Sequence, residues 1–245
     1  MKVLILAAGY ATRLYPLTKE YPKPLLLVGK RPIIDYIIDK LKALDEVDEI
    51  IVVTNSKFIF NFREWAKTIK IQKRISLIDD LTKSQDDRRG AIGDMDFVIN
   101  RKQIKDDLLV IGGDNLFDGG LKVFLDFATS KKNHLTIGVF NINDKDQAKN
   151  YGVVRLDKNN RILDFREKPK DPKTTLVAMC LYYFPQSKLK LIKEYLKDRN
   201  NKNDATGFYI DWVSKKEIVY GFVFDGRWYD IGHHKSYNEA KEKVF

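Results

Sequence analysis

Apolar runs of strand length alternate with segments of helical spacing along the first 140 residues. Glu49–Thr54 and Leu108–Ile111 are continuous apolar runs, whereas Pro32–Leu41 repeats apolar residues at helical spacing behind a proline. By the same criteria we predict strands at Val3–Leu6, Leu25–Val28, Ile75–Ile78 and Leu135–Phe140, and helices at Lys57–Thr68, Ala91–Asn100 and Leu121–Ser130. Strand and helix in alternation predict an α/β fold with a largely parallel, doubly wound sheet.

The second half of the chain adds β-rich segments to this rhythm. Gly152–Leu156 and Ile162–Phe165 flank the turn Asp157–Asn160, whose asparagines suit a positive φ, so we predict a hairpin. Further predicted elements are the strands Leu176–Phe184 and Ile218–Phe224, and helices at Gln186–Lys197 and from about Lys235. Because no repeat, low-complexity tract or linker interrupts the pattern, residues 1–245 are predicted to form one domain.

Length and cysteine content narrow the class of protein. A chain of 245 residues can bury a sizeable core, and its one cysteine excludes an intramolecular disulfide and a thiolate metal site. Cys180 lies among apolar neighbours and is expected to be a small core residue without a chemical role. The apolar run at the amino terminus is too short for a signal peptide, and no segment reaches about 20 apolar residues. We therefore expect a cytoplasmic protein that does not enter a membrane.

The chain is basic, which favours anionic partners. Lys and Arg total 44 against 34 Asp and Glu, giving a formal net charge of +10. Nucleic acid, anionic lipid and small phosphorylated substrates all fit such a charge. The common nucleic-acid recognition motifs are absent, so we expect no nucleic-acid partner.

A glycine loop follows the first predicted strand. Gly9–Leu14 contains Arg13, and Lys23 follows ten residues later between two prolines. A glycine at a strand end lets backbone amides approach an anion, whose charge a guanidinium can also meet. The dinucleotide-binding and P-loop glycine patterns are absent, which argues against a dehydrogenase or a P-loop kinase. A triphosphate cradle is one interpretation of this loop, and an ordinary turn is the other.

Carboxylates at strand ends form the second group of candidates. Asp114 ends the apolar run 108–111, where ligands bind in open α/β sheets, and could hold Mg²⁺ together with a second carboxylate. Asp230, in the segment 228–232, is our candidate for that partner. Glu167 and Lys168, followed by a proline, combine a carboxylate able to hold sugar hydroxyls with an ammonium able to hold a phosphate, but alone they equally suit a surface salt bridge. Each aspartate alone could equally cap a turn.

These segments, in this order, resemble the sugar nucleotidyltransferase family, which includes glucose-1-phosphate thymidylyl- and uridylyltransferases. The matching stretches are Leu6–Thr18, Pro22–Leu26, Gly113–Asn115, Tyr151–Val154, Glu167–Pro169 and Trp228–Gly232. The resemblance implies a Rossmann-like, three-layer sandwich with a mostly parallel mixed sheet and a small β-rich excursion. It also implies a Mg²⁺-dependent enzyme that joins a nucleoside triphosphate, with dTTP or UTP favoured, to a sugar 1-phosphate. Such relatives are often oligomers, so a homo-oligomer is possible here.

The resemblance assigns roles residue by residue. Arg13, Lys23 and Asp114 are expected to be catalytic, and Asp114 and Asp230 to hold the metal. Gly152, Glu167, Lys168 and Lys23 are expected to bind the sugar phosphate. The nucleotide is expected to lie against Ala8, Gly9, Tyr10, Ala11, Thr12, Arg13, Asp114 and Gly90, with Gly90 beside the base.

The chain departs from the family pattern at two places. Ala11 stands where the loop usually has a second glycine, and residues 79–89 form a longer and more charged stretch than the usual glutamine-containing segment that contacts the base. Base preference is therefore open. The main alternative is a cytidylyltransferase for phosphocholine or another phosphorylated alcohol, which would need aromatic side chains around a quaternary ammonium. Candidates for that cage are Tyr182, Tyr183, Phe208, Tyr209, Trp212 and Trp228. A nucleic-acid binder and a catalytically silent relative are the remaining alternatives.

Overall fold

The computed structural model describes residues 1–243, which fold around a mixed β-sheet. The strands are β1 (Lys2–Leu6), β2 (Leu27–Val28), β3 (Arg31–Pro32), β4 (Glu49–Thr54), β5 (Arg74–Asp79), β6 (Leu108–Gly112), β7 (Asn115–Phe117), β8 (Leu135–Asn141), β9 (Gly152–Leu156), β10 (Ile162–Glu167), β11 (Leu176–Phe184), β12 (Val219–Phe224) and β13 (Trp228–Asp230). The helices are α1 (Ile33–Lys42), α2 (Ile59–Thr68), α3 (Gly90–Lys102), α4 (Leu121–Ser130), α5 (Lys145–Ala148), α6 (Lys190–Lys197), α7 (Thr206–Ser214) and α8 (His234–Lys243).

The centre of the sheet is parallel, as the alternation of strand and helix predicts. Strands β6, β1, β4 and β5 lie side by side in that order and all run in the same direction. Strand β11 then pairs antiparallel with β6 and also with β8 and β9, and the predicted hairpin of β9 and β10 extends the sheet beyond it. The mixed sheet and its β-rich excursion are therefore confirmed.

Both faces of the parallel strands are buried, because alternate side chains point to opposite sides of a strand. Val3 and Ile5 of β1 pack against α1, α2 and α4, whereas Leu4 packs against α3, α6 and α7. The same alternation holds in β4 and β6. Helices therefore cover both faces of the sheet, which confirms the three-layer sandwich.

A smaller core lies beside the main sheet and supports two functional candidates. Leu14, next to Arg13, and Ile231, next to Asp230, are both fully buried in it. The rest of this core comes from Leu26, which directly precedes β2, and from β2, α1, β7 and α8, which contribute Val28, Ile33, Leu116, Tyr237 and Ala240. Packing of these apolar residues therefore holds segments from the two ends of the chain together.

The structure corrects some predicted elements. The strand predicted at Leu25–Val28 is wrong in its first half: Lys23–Leu25 forms a 3-10 turn, and the paired strand is only Leu27–Val28. The helix at Gln186–Lys197 begins with a 3-10 turn, and its α-helical part starts at Lys190. The elements β3, β7, β13 and α5 were not predicted, because segments of two to four residues carry too little periodicity. Helix α7, of nine residues, was also not predicted. No helix among residues 1–243 is both long and apolar enough to cross a membrane.

Aromatic packing around α4 gives a test of the core. Phe124 is fully buried, with its ring centroid 5.8 Å from that of Phe222 and 5.7 Å from that of Phe224. We expect Phe124→Ala to lower the free energy of unfolding by about 3–5 kcal/mol, because it leaves a cavity in a packed core. Urea denaturation would measure the change. Val123→Ala is the matched control, since Val123 is 60% exposed on the same helix. An equal loss in both variants would contradict the assignment of this core.

Candidate active site

A two-lobed cleft opens at the carboxyl ends of the parallel strands. The loop lobe, about 440 Å³ in volume, is lined by residues 6–13, which leave β1, and by Lys23 and Gly90. The hairpin lobe, about 370 Å³, is lined by Gly152, Glu167 and residues near the start of α7. Arg13, Asp114 and Lys168 line both lobes. The cleft thus lies where open α/β sheets bind ligands.

The glycine loop, residues 9–14, leaves open space beside its backbone. A Cβ atom at Gly9 would meet no atom within 4 Å, so a ligand can approach the backbone there. Ala11 takes the left-handed conformation, with φ of 49°, where the family usually has glycine. Thr18 Oγ1 donates a hydrogen bond of 2.8 Å to the Ala11 carbonyl, and Asn55 Nδ2 donates one of 2.8 Å to the Ala8 carbonyl. These bonds hold the loop without a second glycine.

Two carboxylates that are distant in sequence meet at the junction of the lobes. Asp114 directly precedes β7 and Asp230 ends β13, and the antiparallel pairing of these strands places Asp230 opposite Asn115. The Lys23 ammonium forms a salt bridge with Asp114 Oδ2. The structure therefore brings Arg13, Lys23, Asp114 and Asp230 together, as the resemblance implies.

Burial and neighbouring charges shift the pKa values of Asp230 and Lys23. Burial and the charge of Asp114 raise the pKa of Asp230, although the Lys23 and Arg13 charges partly oppose the shift. Burial alone would lower the pKa of Lys23, but the charges of Asp114 and Asp230 outweigh it and the net shift is upward. The site thus stabilises a charged lysine and penalises the second carboxylate.

The donor set fits Mg²⁺ bound together with a substrate. Magnesium takes one or two carboxylates and completes its shell with phosphate oxygens and waters. Asp114 and Asp230 supply two carboxylates, and a divalent cation between them would offset the repulsion that raises the pKa of Asp230. No cluster of three or more His, Cys, Asp or Glu able to hold a metal occurs within residues 1–243. The residues therefore suit a metal that arrives with phosphates rather than an all-protein cage.

The hairpin lobe is built from two glycines and a half-buried carboxylate. Glu167 ends β10 opposite Gly152 of β9, and the first turn of α7 brings Gly207 against it. A Cβ atom on Gly207 would overlap Glu167 Oε2, and one on Gly152 would lie 3.0 Å from the same oxygen. Burial raises the pKa of Glu167, and the adjacent Lys168 charge opposes this shift. The lobe therefore presents a desolvated hydrogen-bond acceptor in a space that only glycines leave open.

Lys168 reaches the junction through an unusual backbone conformation. Its φ is 47°, and its amide donates a hydrogen bond of 3.0 Å to the Tyr151 carbonyl. The turn after Glu167 thereby directs Lys168 to both lobes.

Cys180 is not the core residue that its neighbours predict. Strand β11 is bulged between Ala178 and Tyr182, and Cys180 has φ of 51° within the bulge. The residue is half-buried and lines the hairpin lobe. Burial and the charge of Asp114 raise the pKa of its thiol, so the thiol stays protonated at neutral pH. Thr206 Oγ1 lies 2.7 Å from Tyr182 Oη and 3.9 Å from the sulfur.

The six aromatic residues considered for an ammonium cage do not gather around the cleft. Of these six, only Tyr182 lines the hairpin lobe. Tyr183 and Tyr209 are buried in the main cores, and Phe208 and Trp212 pack against the core under α6 and α7. The Trp228 ring packs at a tilt against that of Tyr151, with 5.3 Å between the ring centroids, and its Nε1–H donates a hydrogen bond of 2.9 Å to Asn115 Oδ1. The aromatics thus serve packing rather than recognition of a quaternary ammonium.

The charged segment 79–89 forms the outer wall of the loop lobe. Arg88 makes a bidentate ion pair with Asp204, with Nε to Oδ1 at 2.9 Å and Nη2 to Oδ2 at 2.7 Å. Gln85 and Asp80 line the lobe beside it. Gly90 also lines it and has φ of 75°, a conformation in which glycine avoids strain.

Several lining residues could not be identified from sequence. They are Asp80, Gln85, Asp94, Asn150, Tyr151, Asp204, Thr206 and Gly207. Most belong to loops or to helix starts, where no periodic pattern or spacing marks a contribution to a cleft. Gly207 near the start of an unpredicted helix carried the clearest signal, since glycine is costly inside helices and implies a close contact.

Comparison with known proteins places this cleft in context. The family model described as nucleotidyl transferase matches residues 2–245. A bifunctional protein GlmU of Methanococcus aeolicus is 32% identical over 232 residues, covering 95% of this chain and 51% of that protein. A Sulfolobus acidocaldarius protein, provisionally described as a mannose-1-phosphate guanyltransferase, is 30% identical over 97% of this chain and 61% of its own length. The chain thus spans about half to three-fifths of these relatives.

A solved structure supports the fold independently. A Bacillus anthracis protein, provisionally described as a glucose-1-phosphate thymidylyltransferase and crystallised with a sucrose, superposes with a TM-score of 0.82. The match covers 99% of this chain and 94% of that one at 24% identity. At this identity the likeness establishes the architecture alone.

The repulsion at the junction predicts a gain in stability on neutralising Asp230. A raised pKa means that ionisation destabilises the fold: the penalty is absent well below the ordinary value of 3.8, grows as the pH rises and is fully present at pH 8. We expect Asp230→Asn, at pH 8 with chelator, to raise the free energy of unfolding by about 1–3 kcal/mol. Urea denaturation measures the change.

Asp225→Asn is the control for that experiment, because it removes the same charge from an exposed position nearby. We expect a change within about 0.5 kcal/mol there. If Asp230→Asn proved less stable than the parent at pH 8, the repulsion inferred between the two carboxylates would be wrong.

Proposed function

Because this chain belongs to the nucleotidyl transferase family, we propose that it joins a nucleoside triphosphate to a sugar 1-phosphate, yielding a nucleotide-sugar and pyrophosphate. The observation that carries the proposal is the wall shared by the two lobes. Arg13, Asp114 and Lys168 line both spaces, so a triphosphate in the loop lobe and a phosphorylated acceptor in the hairpin lobe would meet beside them. Two anionic substrates also agree with the basic net charge.

The proposed reaction requires positioning more than acid–base chemistry. An oxygen of the sugar phosphate, already ionised at neutral pH, attacks the α-phosphorus and forms the new P–O bond. The bond from the α-phosphorus to the bridging oxygen breaks, and pyrophosphate leaves with the electron pair. Holding both phosphates in line and neutralising their charge are the main tasks of a protein in such transfers.

The residues of the cleft supply these functions. Arg13 and the amides of residues 9–12 would hold the triphosphate, and Lys23, which is held by Asp114, would contact the α-phosphate. Lys168 would hold the acceptor phosphate and Glu167 the sugar hydroxyls. Mg²⁺, when bound by Asp114 and Asp230, would neutralise charge on the phosphate oxygens.

The structure favours a sugar phosphate over phosphocholine as acceptor. The hairpin lobe offers a half-buried carboxylate and two glycines, whereas the aromatic residues that a quaternary ammonium needs are mostly packed elsewhere. The assay described next determines which sugar phosphate is used.

Pyrophosphate release tests this function directly. Purified protein with Mg²⁺ would be assayed with ATP, GTP, CTP, UTP and dTTP, each against glucose 1-phosphate, mannose 1-phosphate, N-acetylglucosamine 1-phosphate and phosphocholine. We expect release with at least one sugar phosphate. Release with phosphocholine alone would replace the proposed acceptor, and the absence of release throughout would refute the proposed function for these substrates.

We expect Lys23→Ala and Asp114→Ala each to lower the chemical step at least about tenfold, equivalent to about 1.4 kcal/mol. Each removes a charge at the junction of the lobes and leaves its partner buried without it. Single-turnover measurements separate this step from substrate binding. The control is Lys19→Ala, which removes an exposed lysine outside the cleft. Near-normal turnover in either cleft variant would remove that residue from the catalytic set.

Gly207→Ala tests the acceptor lobe. The added methyl group would displace Glu167 Oε2, so we expect the KM for the sugar phosphate to rise at least about fivefold while the KM for the nucleotide changes little. Gly120→Ala is the control, because its nearest neighbour outside the local backbone is Val123 Cγ2 at 3.9 Å. Equal changes in the KM of both substrates would place Glu167 outside the acceptor site.

A further inference from the structure

Two buried carboxyl groups line the loop lobe away from the proposed reaction centre. Asp80 directly follows β5, and Asp94 lies one turn into α3, which begins at Gly90. Asp80 is 1% exposed and Asp94 is 6% exposed, and both residues line the loop lobe but not the hairpin lobe.

The two carboxyl groups differ in the hydrogen-bond donors that they receive. Asp80 Oδ1 accepts hydrogen bonds from the Thr82 amide at 2.7 Å and from Thr82 Oγ1 at 2.8 Å. In contrast, Asp94 Oδ1 is buried without a hydrogen-bond donor among residues 1–243. A buried polar atom without a partner costs about 1–3 kcal/mol and calls for an explanation. A ligand that brings an N–H group to this end of the lobe would remove that cost.

The pair also carries a proton. The negative charge of Asp80 acts on the Asp94 carboxyl group and disfavours the ionisation of both acids together. Burial and the Asp80 charge raise the pKa of Asp94 to about 8, while the Arg89 charge opposes the shift. At neutral pH Asp94 is therefore mainly a neutral acid: its hydroxyl can donate to Asp80, and its other oxygen remains an acceptor.

The position of the pair identifies the part of the ligand that would reach it. This step rests on the proposed function, in which the triphosphate lies against residues 9–13 of the loop lobe and meets the acceptor at the junction. The unshared part of the loop lobe, with Asp94, Gln85 and Gly90, must then hold the base of the nucleotide.

We propose that Asp94, supported by Asp80, accepts a hydrogen bond from an exocyclic amino group of the base, so that CTP, ATP or GTP is preferred to UTP and dTTP. Cytosine, adenine and guanine each present such a donor, and carboxyl oxygens pair with it in known base recognition. Uracil and thymine instead present carbonyl oxygens on both sides of their one ring N–H. Those oxygens would face the carboxyl oxygens of the acid pair and would lose their own hydrogen bonds. The inference opposes the preference for dTTP or UTP that the sequence resemblance implies.

Three nucleotide pairs test the amino group. GTP and ITP differ in that group alone, whereas CTP and UTP, and ATP and ITP, also differ in a neighbouring ring nitrogen, which is an acceptor in one and an N–H donor in the other. Isothermal titration of the full chain with Mg²⁺, without acceptor, would compare CTP with UTP, ATP with ITP, and GTP with ITP. We expect the amino-bearing member of at least one pair to bind at least about tenfold more tightly, and UTP and dTTP to bind more weakly than that nucleotide.

Variants of α3 assign the preference to Asp94. Asp94→Ala removes the acceptor, and we expect the preference within the discriminating pair to fall below about threefold. Asp94→Asn keeps a carbonyl oxygen and replaces the hydroxyl with an N–H donor for Asp80, so most of the preference should return. Asp96→Ala, on the same helix and outside both lobes, is the control. Thermal unfolding checks that each variant is folded. If Asp94→Ala does not fold, the nucleotide comparison in the unmodified protein still decides which class of base is preferred.

The outcomes separate this inference from the proposed function. Tighter binding of UTP or dTTP than of every amino-bearing nucleotide would overturn the inference and leave the proposed function standing. An amino preference that Asp94→Ala leaves intact would overturn the role of Asp94. An amino preference lost in Asp94→Ala, but without pyrophosphate release from any sugar phosphate, would support the inference and contradict the function. No binding of any nucleotide would overturn both.

Discussion

The antiparallel pairing of β7 with β13 is the constraint on which the cleft depends. It joins Asn115 to Asp230 across 115 residues of chain and so places a second carboxylate beside Asp114. Such short strands are weak alone, and side chains reinforce them. The buried Asn115 accepts a hydrogen bond from Trp228 and donates to the carbonyls of Met179 and Cys180 in β11. The small core around Leu14 and Ile231 adds apolar packing that fixes Arg13 relative to Asp230.

The carboxylates that this framework brings together are not all neutralised by protein groups. Lys23 neutralises Asp114, but Asp230 remains buried with a raised pKa beside a like charge. Asp94 shows the same condition at the other end of the loop lobe, where burial and the Asp80 charge raise its pKa and one oxygen has no donor within residues 1–243. Proteins retain such locally unfavourable groups where function needs them and compensate elsewhere in the fold. Here the compensation comes from two extensive apolar cores on either side of the sheet.

The mixed sheet explains why the cleft has two lobes. The loops that follow the parallel strands β1, β5 and β6 lie at the same end of the sheet, and they build the loop lobe. The antiparallel strands β9, β10 and β11 add a second wall beyond that edge. The bulge of β11 at Cys180 and the left-handed turn at Lys168 direct residues of this added wall toward the parallel half. Arg13, Asp114 and Lys168 belong to both spaces because the two halves of the sheet meet there.

The sequence by itself determined the sandwich and most of the candidate residues. Long apolar runs such as Glu49–Thr54, and periodic helices such as Leu121–Ser130, are specified by local patterns, because alternate faces of each element must be buried. The motifs around Gly9, Asp114 and Glu167 are each weak alone, and they were identified through the resemblance that their order and spacing give to a known family. Only the tertiary structure decided which residues complete the cleft. Gly207, Asp94 and the bulge at Cys180 acquire their roles from neighbours distant in the chain, and desolvation, which sets the protonation of Asp94 and Asp230, exists only once those neighbours have packed.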